Sequence, residues 1–157
     1  MRSRFTLRFI GDVDPRLRHS VRLFASWIRS RYLFRVPLEI RMYARRELED
    51  DDGTTWDILR WQSTRGREPV RIEMAVGGFA DEAAQGGVEQ ATYEVAYNMA
   101  RQLKHYFQMV NDYPLRGDHA SRWAEQLIDA YQNGTASPKP VKGSVLVTPA
   151  EWLGDRE

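Results

Sequence analysis

Apolar and polar residues alternate through Phe5, Thr6, Leu7, Arg8 and Phe9, the period-two signature of a half-buried strand, and Gly11 ends the run. The period then changes. Behind Asp14 and Pro15, a capping residue and a proline at the first helical position, Leu17, Val21, Phe24, Ile28 and Tyr32 recur at steps of three and four, which predicts a helix over 15–32. Alternation returns after Pro37 in Leu38, Glu39, Ile40, Arg41 and Met42, a second strand, and the charged run 45–52 with Gly53 reads as a loop. Two more strands, 56–61 and 70–76, flank the polar Gly- and Pro-containing segment 63–69 and suggest an antiparallel hairpin with a long connection. Gly77 and Gly78 close it, and the small, acidic stretch 81–87 reads as a mobile connection.

From 88 to 110 there is neither proline nor glycine, and Ala96, Ala100, Leu103, Phe107 and Val110 form one apolar stripe, so a long central helix is expected. Pro114 and Gly117 turn the chain into a second helix over 118–132, with Trp123, Ala124, Leu127, Ile128 and Tyr131 inward and Asn133-Gly134 at its end. The two make a helical hairpin. Pro138 and Pro140 mark an extended linker, followed by a candidate strand at 145–147 and a capping-box pattern from Thr148 to Glu151. The fold class is therefore α+β: an N-terminal helix, a small, mostly antiparallel sheet of three to four strands, the long helix and a backing helix. Residues 1–134 form one domain in this reading, and 135–157 a weakly held C-terminal extension.

Composition narrows the chemistry. A chain of 157 residues can enclose one core without staples, and the absence of cysteine removes disulfides, thiolate ligands and thiol nucleophiles. No apolar run reaches the roughly 18 residues of a membrane span, and the start is not a leader-like segment, so a soluble cytoplasmic protein with no membrane partner is expected. Residues 1–46 hold 12 of the 23 Lys and Arg against three acids, Asp12, Asp14 and Glu39. That split suits either a basic face for nucleic acid or mutual neutralisation within one fold, and the spread of the arginines over several faces favours the second. His19 reads as a surface residue, and Gly77-Gly78 and Gly86-Gly87 lack the phosphate-cradle pattern. If the alternation of strand 56–61 holds, Trp56 and Trp61 take opposite faces and one of them is exposed.

The long helix carries Arg101, Gln102, Leu103, Lys104 and His105, followed by Tyr106, Phe107 and Gln108. This stretch resembles the H-E-x-x-H motif of zincin metallopeptidases, in which two imidazoles one turn apart grip zinc and the glutamate polarises its water. With the surrounding elements it resembles a minimal gluzincin. The resemblance puts Arg101 at the first ligand, Gln102 at the general base and His105 at the second ligand. The third falls on the backing helix near Ser121, with Asp118, His119 and Glu125 as alternatives.

A guanidinium has no lone pair and glutamine accepts no proton, so the resemblance implies no catalytic residue, no zinc and a pseudo-active site of Tyr97, Arg101, Gln102, His105, Gln108, His119 and Ser121. Arg101 would replace the positive charge of the metal and gather carboxylates or carbonyls. Glu94, Tyr97, Arg101, His105 and Gln108 also form one polar stripe, which suits a hydrated helix face. The implied function is binding of a peptide or protein partner along strand 70–76, as active relatives seat substrate on an edge strand. Alternatives are a metal-dependent peptidase using an atypical ligand set with His105 and His119, a nucleic-acid-associated protein acting through residues 1–46, and a structural protein.

Overall fold

The computed structural model describes residues 4–60 and 70–141. Strand β1 (Phe5–Ile10) leads into helix α1 (Pro15–Arg31), whose first turn is capped by Asp14 accepting from the Arg16 amide at 2.9 Å. Strand β2 (Leu38–Tyr43) follows, then β3 (Leu48–Asp50), β4 (Gly53–Thr55), β5 (Asp57–Arg60) and β6 (Val70–Ala75). Helices α2 (Phe79–Gly86), α3 (Val88–Val110) and α4 (Gly117–Asn133) complete the order. The class is α+β, as the periodicity predicts.

The main sheet has the order β1-β2-β6-β5 and is mixed, not mostly antiparallel. β1 and β2 are parallel because α1 crosses between them, and β2 and β6 are parallel as well. Only β5 and β6 are antiparallel, in the hairpin expected for these segments. Strand β6 is consequently interior, and the edge next to it is β5. The expected loop 45–52 instead supplies β3, which pairs with β4 as a small antiparallel ribbon.

One face of the sheet carries Phe5, Leu38, Ile40, Met42, Val70, Ile72 and Met74, all buried against the helices. The other face carries Arg8, Glu39, Arg41, Arg71, Glu73 and Arg60, arranged so that Glu39 faces Arg8, Arg41 and Arg71, and Glu73 binds Arg60 and the Tyr43 hydroxyl. Gly77 is needed where β6 leaves the sheet: an added Cβ would come within 2.6 Å of the Arg45 carbonyl carbon. Phe79 and Ala83 are buried, so the stretch expected to be a mobile connection is helix α2. Gly87, at φ 95°, separates it from α3.

Helix α3 buries more of its circumference than one stripe. Ala91, Val95, Met99 and Tyr106 join Ala100, Leu103 and Phe107, because α3 packs on the sheet and α1 on one side and on α4 on the other. After α4, the Tyr32 hydroxyl, the Trp123 indole and the Lys104 ammonium donate to the carbonyls of Pro138, Lys139 and Pro140 at 2.7, 2.8 and 2.6 Å. Val141 is buried behind them. These bonds tie residues 138–140 of the C-terminal extension to the domain; Trp61, the connection 63–69, the candidate strand 145–147 and the capping-box segment lie outside the described residues. Among the described residues no helix is long and apolar enough to cross a membrane.

Candidate functional site

A cleft of about 460 Å³ lies between β5, α2 and the first two-thirds of α3. Glu94, Tyr97, Asn98 and Arg101 line it from α3, at the spacing that brings residues to one helix face. Trp56 and Asp57 line it from the sheet edge and Glu82 from α2. Trp56 is 69% exposed, and Tyr93 and Tyr97 stack with ring centroids 6.1 Å apart. The cleft therefore offers aromatic surface with polar groups at its ends.

Arg101 enters this cleft without a carboxylate. Its Nε is buried with no hydrogen-bond partner, and among the described residues no acid lies within ion-pair distance of it. The cluster of carboxylates expected around its charge is not present among the described residues. Gln102 turns to the sheet, where its Nε2 donates to Asp57 Oδ1 at 2.8 Å. At the other end, Glu82 faces Glu94. Partial burial, then the Glu94 charge and a hydrogen bond with its carboxyl, hold Glu82 above the usual carboxylate range. Two carboxyls lining one end of a cleft repel each other, and a cation between them would relieve this.

The remaining expected site residues part company. His105 Nδ1 meets Gln108 Oε1 at 3.0 Å, and Gln108 is only 3% exposed. The polar stripe is therefore not a hydrated face throughout: it leaves the cleft after Arg101 and ends in a part-buried hydrogen bond at the buried Gln108. His119 is exposed on the first turn of α4, with Nε2 3.9 Å from Asp118 Oδ2. Neither His119 nor Ser121 lines the cleft.

Zinc asks for three or four lone-pair donors in tetrahedral array. Among the described residues no three His, Asp or Glu side chains converge on one point, and the group one turn before His105 is a guanidinium. This donor set does not fit the metal.

The arginines of the first third mostly meet partners inside the fold. Arg16 pairs with Asp14, Arg41 with Glu39 and Arg46 with Asp81, while Arg22, Arg29 and Arg31 lie over the rings of Phe9, Phe5 and Trp27. Trp56, Asp57 and Glu82 are cleft residues that sequence reasoning did not select. Trp56 had a signal, as one of two tryptophans assigned to opposite strand faces; Asp57 and Glu82 had none, because their contacts are with helix α3, far along the chain. No family model matches this chain, and neither a curated protein nor a solved structure matches it.

Proposed function

We propose that this chain is a catalytically silent relative of the zincin peptidases that binds an extended peptide of a partner protein in the cleft between β5 and α3. The observation that carries this reading is the pairing of Gln102 with Asp57, which joins the motif helix directly to the edge strand. The edge strand is β5, not the segment 70–76 from which the peptide seat was expected. No described strand pairs with its outer side, the side on which strand addition by a peptide would occur. A residue that hydrolysis would require as a base is here a structural tie, and the aromatic cleft beside it remains.

The test has two arms. Protein purified without chelator is assayed for zinc, for a zinc-dependent melting shift and for peptide hydrolysis, all three expected to be negative. A display library of random decapeptides is then selected on the protein, and enriched peptides are expected to slow amide exchange across residues 57–60. Near-stoichiometric zinc with hydrolysis would overturn the silent-enzyme reading, and peptides that protect other segments only would overturn the binding reading.

A further inference from the structure

The charges in the cleft are separated along α3. Glu94 and Arg101 are seven residues apart, two turns, which returns them to nearly the same helix face at a distance of about 10 Å along the axis. Glu82 joins Glu94 at one end, and no described acid joins Arg101 at the other. A strand advances about 3.3 Å per residue, so an extended peptide crosses this interval in about three residues.

We infer that the cleft takes the carboxylate end of a peptide, with Arg101 holding the terminal carboxylate and Glu82 with Glu94 holding a Lys or Arg side chain about three residues upstream. This rests on the peptide-binding reading and specifies its ligand.

Two physical points carry it. An arginine that is partly shielded from water and has no ion-pair partner is short of acceptors, and a carboxylate presents two oxygens that match the guanidinium fork. A chain end is the carboxylate an extended peptide can bring there without bending a side chain across the cleft. At the acidic end, a Lys or Arg meets two carboxylates that line the cleft together and can rest its stem on Tyr97 or Tyr93. The opposite orientation sets the terminal carboxylate against two acids and the basic side chain against Arg101, so the charge pattern fixes direction as well as composition.

Labelled alanine-based octapeptides test this, made as free acid or C-terminal amide, with Lys or norleucine three residues before the end. Amidation is expected to weaken binding to the unaltered protein at least tenfold, and to matter less than twofold for Arg101→Gln, while Arg101→Lys keeps a preference for the acid. Norleucine is expected to weaken binding similarly, except in the Glu82→Gln/Glu94→Gln double variant. Melting curves identify any variant that fails to fold. If acid and amide bind alike, or Arg101→Gln leaves the amide penalty intact, the inference fails, and the peptide-binding reading stands as long as selected peptides still protect 57–60. If no peptide of any kind binds, both fail.

Discussion

Gln102 and Asp57, 45 residues apart in the chain, are joined by a 2.8 Å hydrogen bond from an amide nitrogen on α3 to a carboxylate oxygen on β5. An acid at position 102 would turn this bond into two facing carboxylates. Gln102→Glu is therefore expected to lower stability by about 1–3 kcal/mol at neutral pH. The new carboxyl would titrate above its unfolded value, so the loss is present at high pH and fades as pH falls through that raised value. Melts of the variant and the unaltered protein at pH 7 and pH 4 measure it, and an equal deficit at both would contradict the expected repulsion.

Restoring one imidazole is expected to create or raise affinity for zinc. With its Nδ1 facing Gln108, His105 leaves Nε2 to act as a ligand, and Arg101→His supplies a second imidazole one turn earlier. Zinc at a hundredfold excess over its dissociation constant would add about 2.7 kcal/mol to the variant. Calorimetry with and without zinc decides it; an unmoved variant would mean that residues 101 and 105 do not open to a common space.

The His105–Gln108 bond makes its own demand on stability. His105→Ala leaves the buried Gln108 amide short of a partner, and the expected cost is about 1–3 kcal/mol. Gln108→Leu alone removes the other partner, and in the double variant neither polar group remains to be satisfied. A denaturant double-mutant cycle should thus give a coupling of about 1 kcal/mol, whereas simple additivity would show the two side chains to be independent.

Gly77 and Gly78 are neighbours with opposite tolerance. A methyl group at Gly77 meets Arg45 backbone atoms at 2.6, 2.8 and 2.9 Å, while at Gly78 the nearest neighbour is a Glu82 oxygen at 4.0 Å. Gly77→Ala is expected to cost about 2 kcal/mol or more and Gly78→Ala less than about 0.5 kcal/mol, both read from urea midpoints.

Glu73 sets part of the acid limb. Its burial alone would raise its titration, yet hydrogen bonds from Arg60 and Tyr43 outweigh this and hold it below the ordinary 4.5. A lowered carboxyl contributes stability above its unfolded value and loses it as pH falls toward the folded one. The stability difference between the unaltered protein and Glu73→Gln should therefore shrink between about pH 5 and pH 3. A constant difference would mean that Glu73 titrates alike folded and unfolded.

Local pattern carried the helices far better than the sheet. Asp14 with Pro15, and the uninterrupted run before Asn111, are signals within one turn of the elements they define, and α1 and α3 fall where those signals lie. Strand direction has no such signal. The alternation in 38–42 and 70–76 is the same whether the strands run together or opposed, and direction depends on how the connections between strands are packed. The candidate site divided the same way. The one-turn spacing of Arg101 and His105 was legible, but the partners that define Gln102, Gln108 and Glu94 were not. Asp57 lies across the sheet, the burial of Gln108 depends on the packing around α3, and Glu82 belongs to a stretch whose small residues conceal a helix.

The bond from the Tyr32 hydroxyl to the Pro138 carbonyl joins groups 106 residues apart. A chain leaving the ribosome N-terminus first makes α1 long before the residues that close over its end exist outside the tunnel. Until then Tyr32, Lys104 and Trp123 present three donors with no carbonyls to meet, and the aromatic surface around them stays open to other chains. Closure of such a distant pair bears a late entropic cost, which grows with the logarithm of the intervening length. The three donors on α1's end, α3 and α4 are therefore satisfied only after residues 138–140 have left the tunnel.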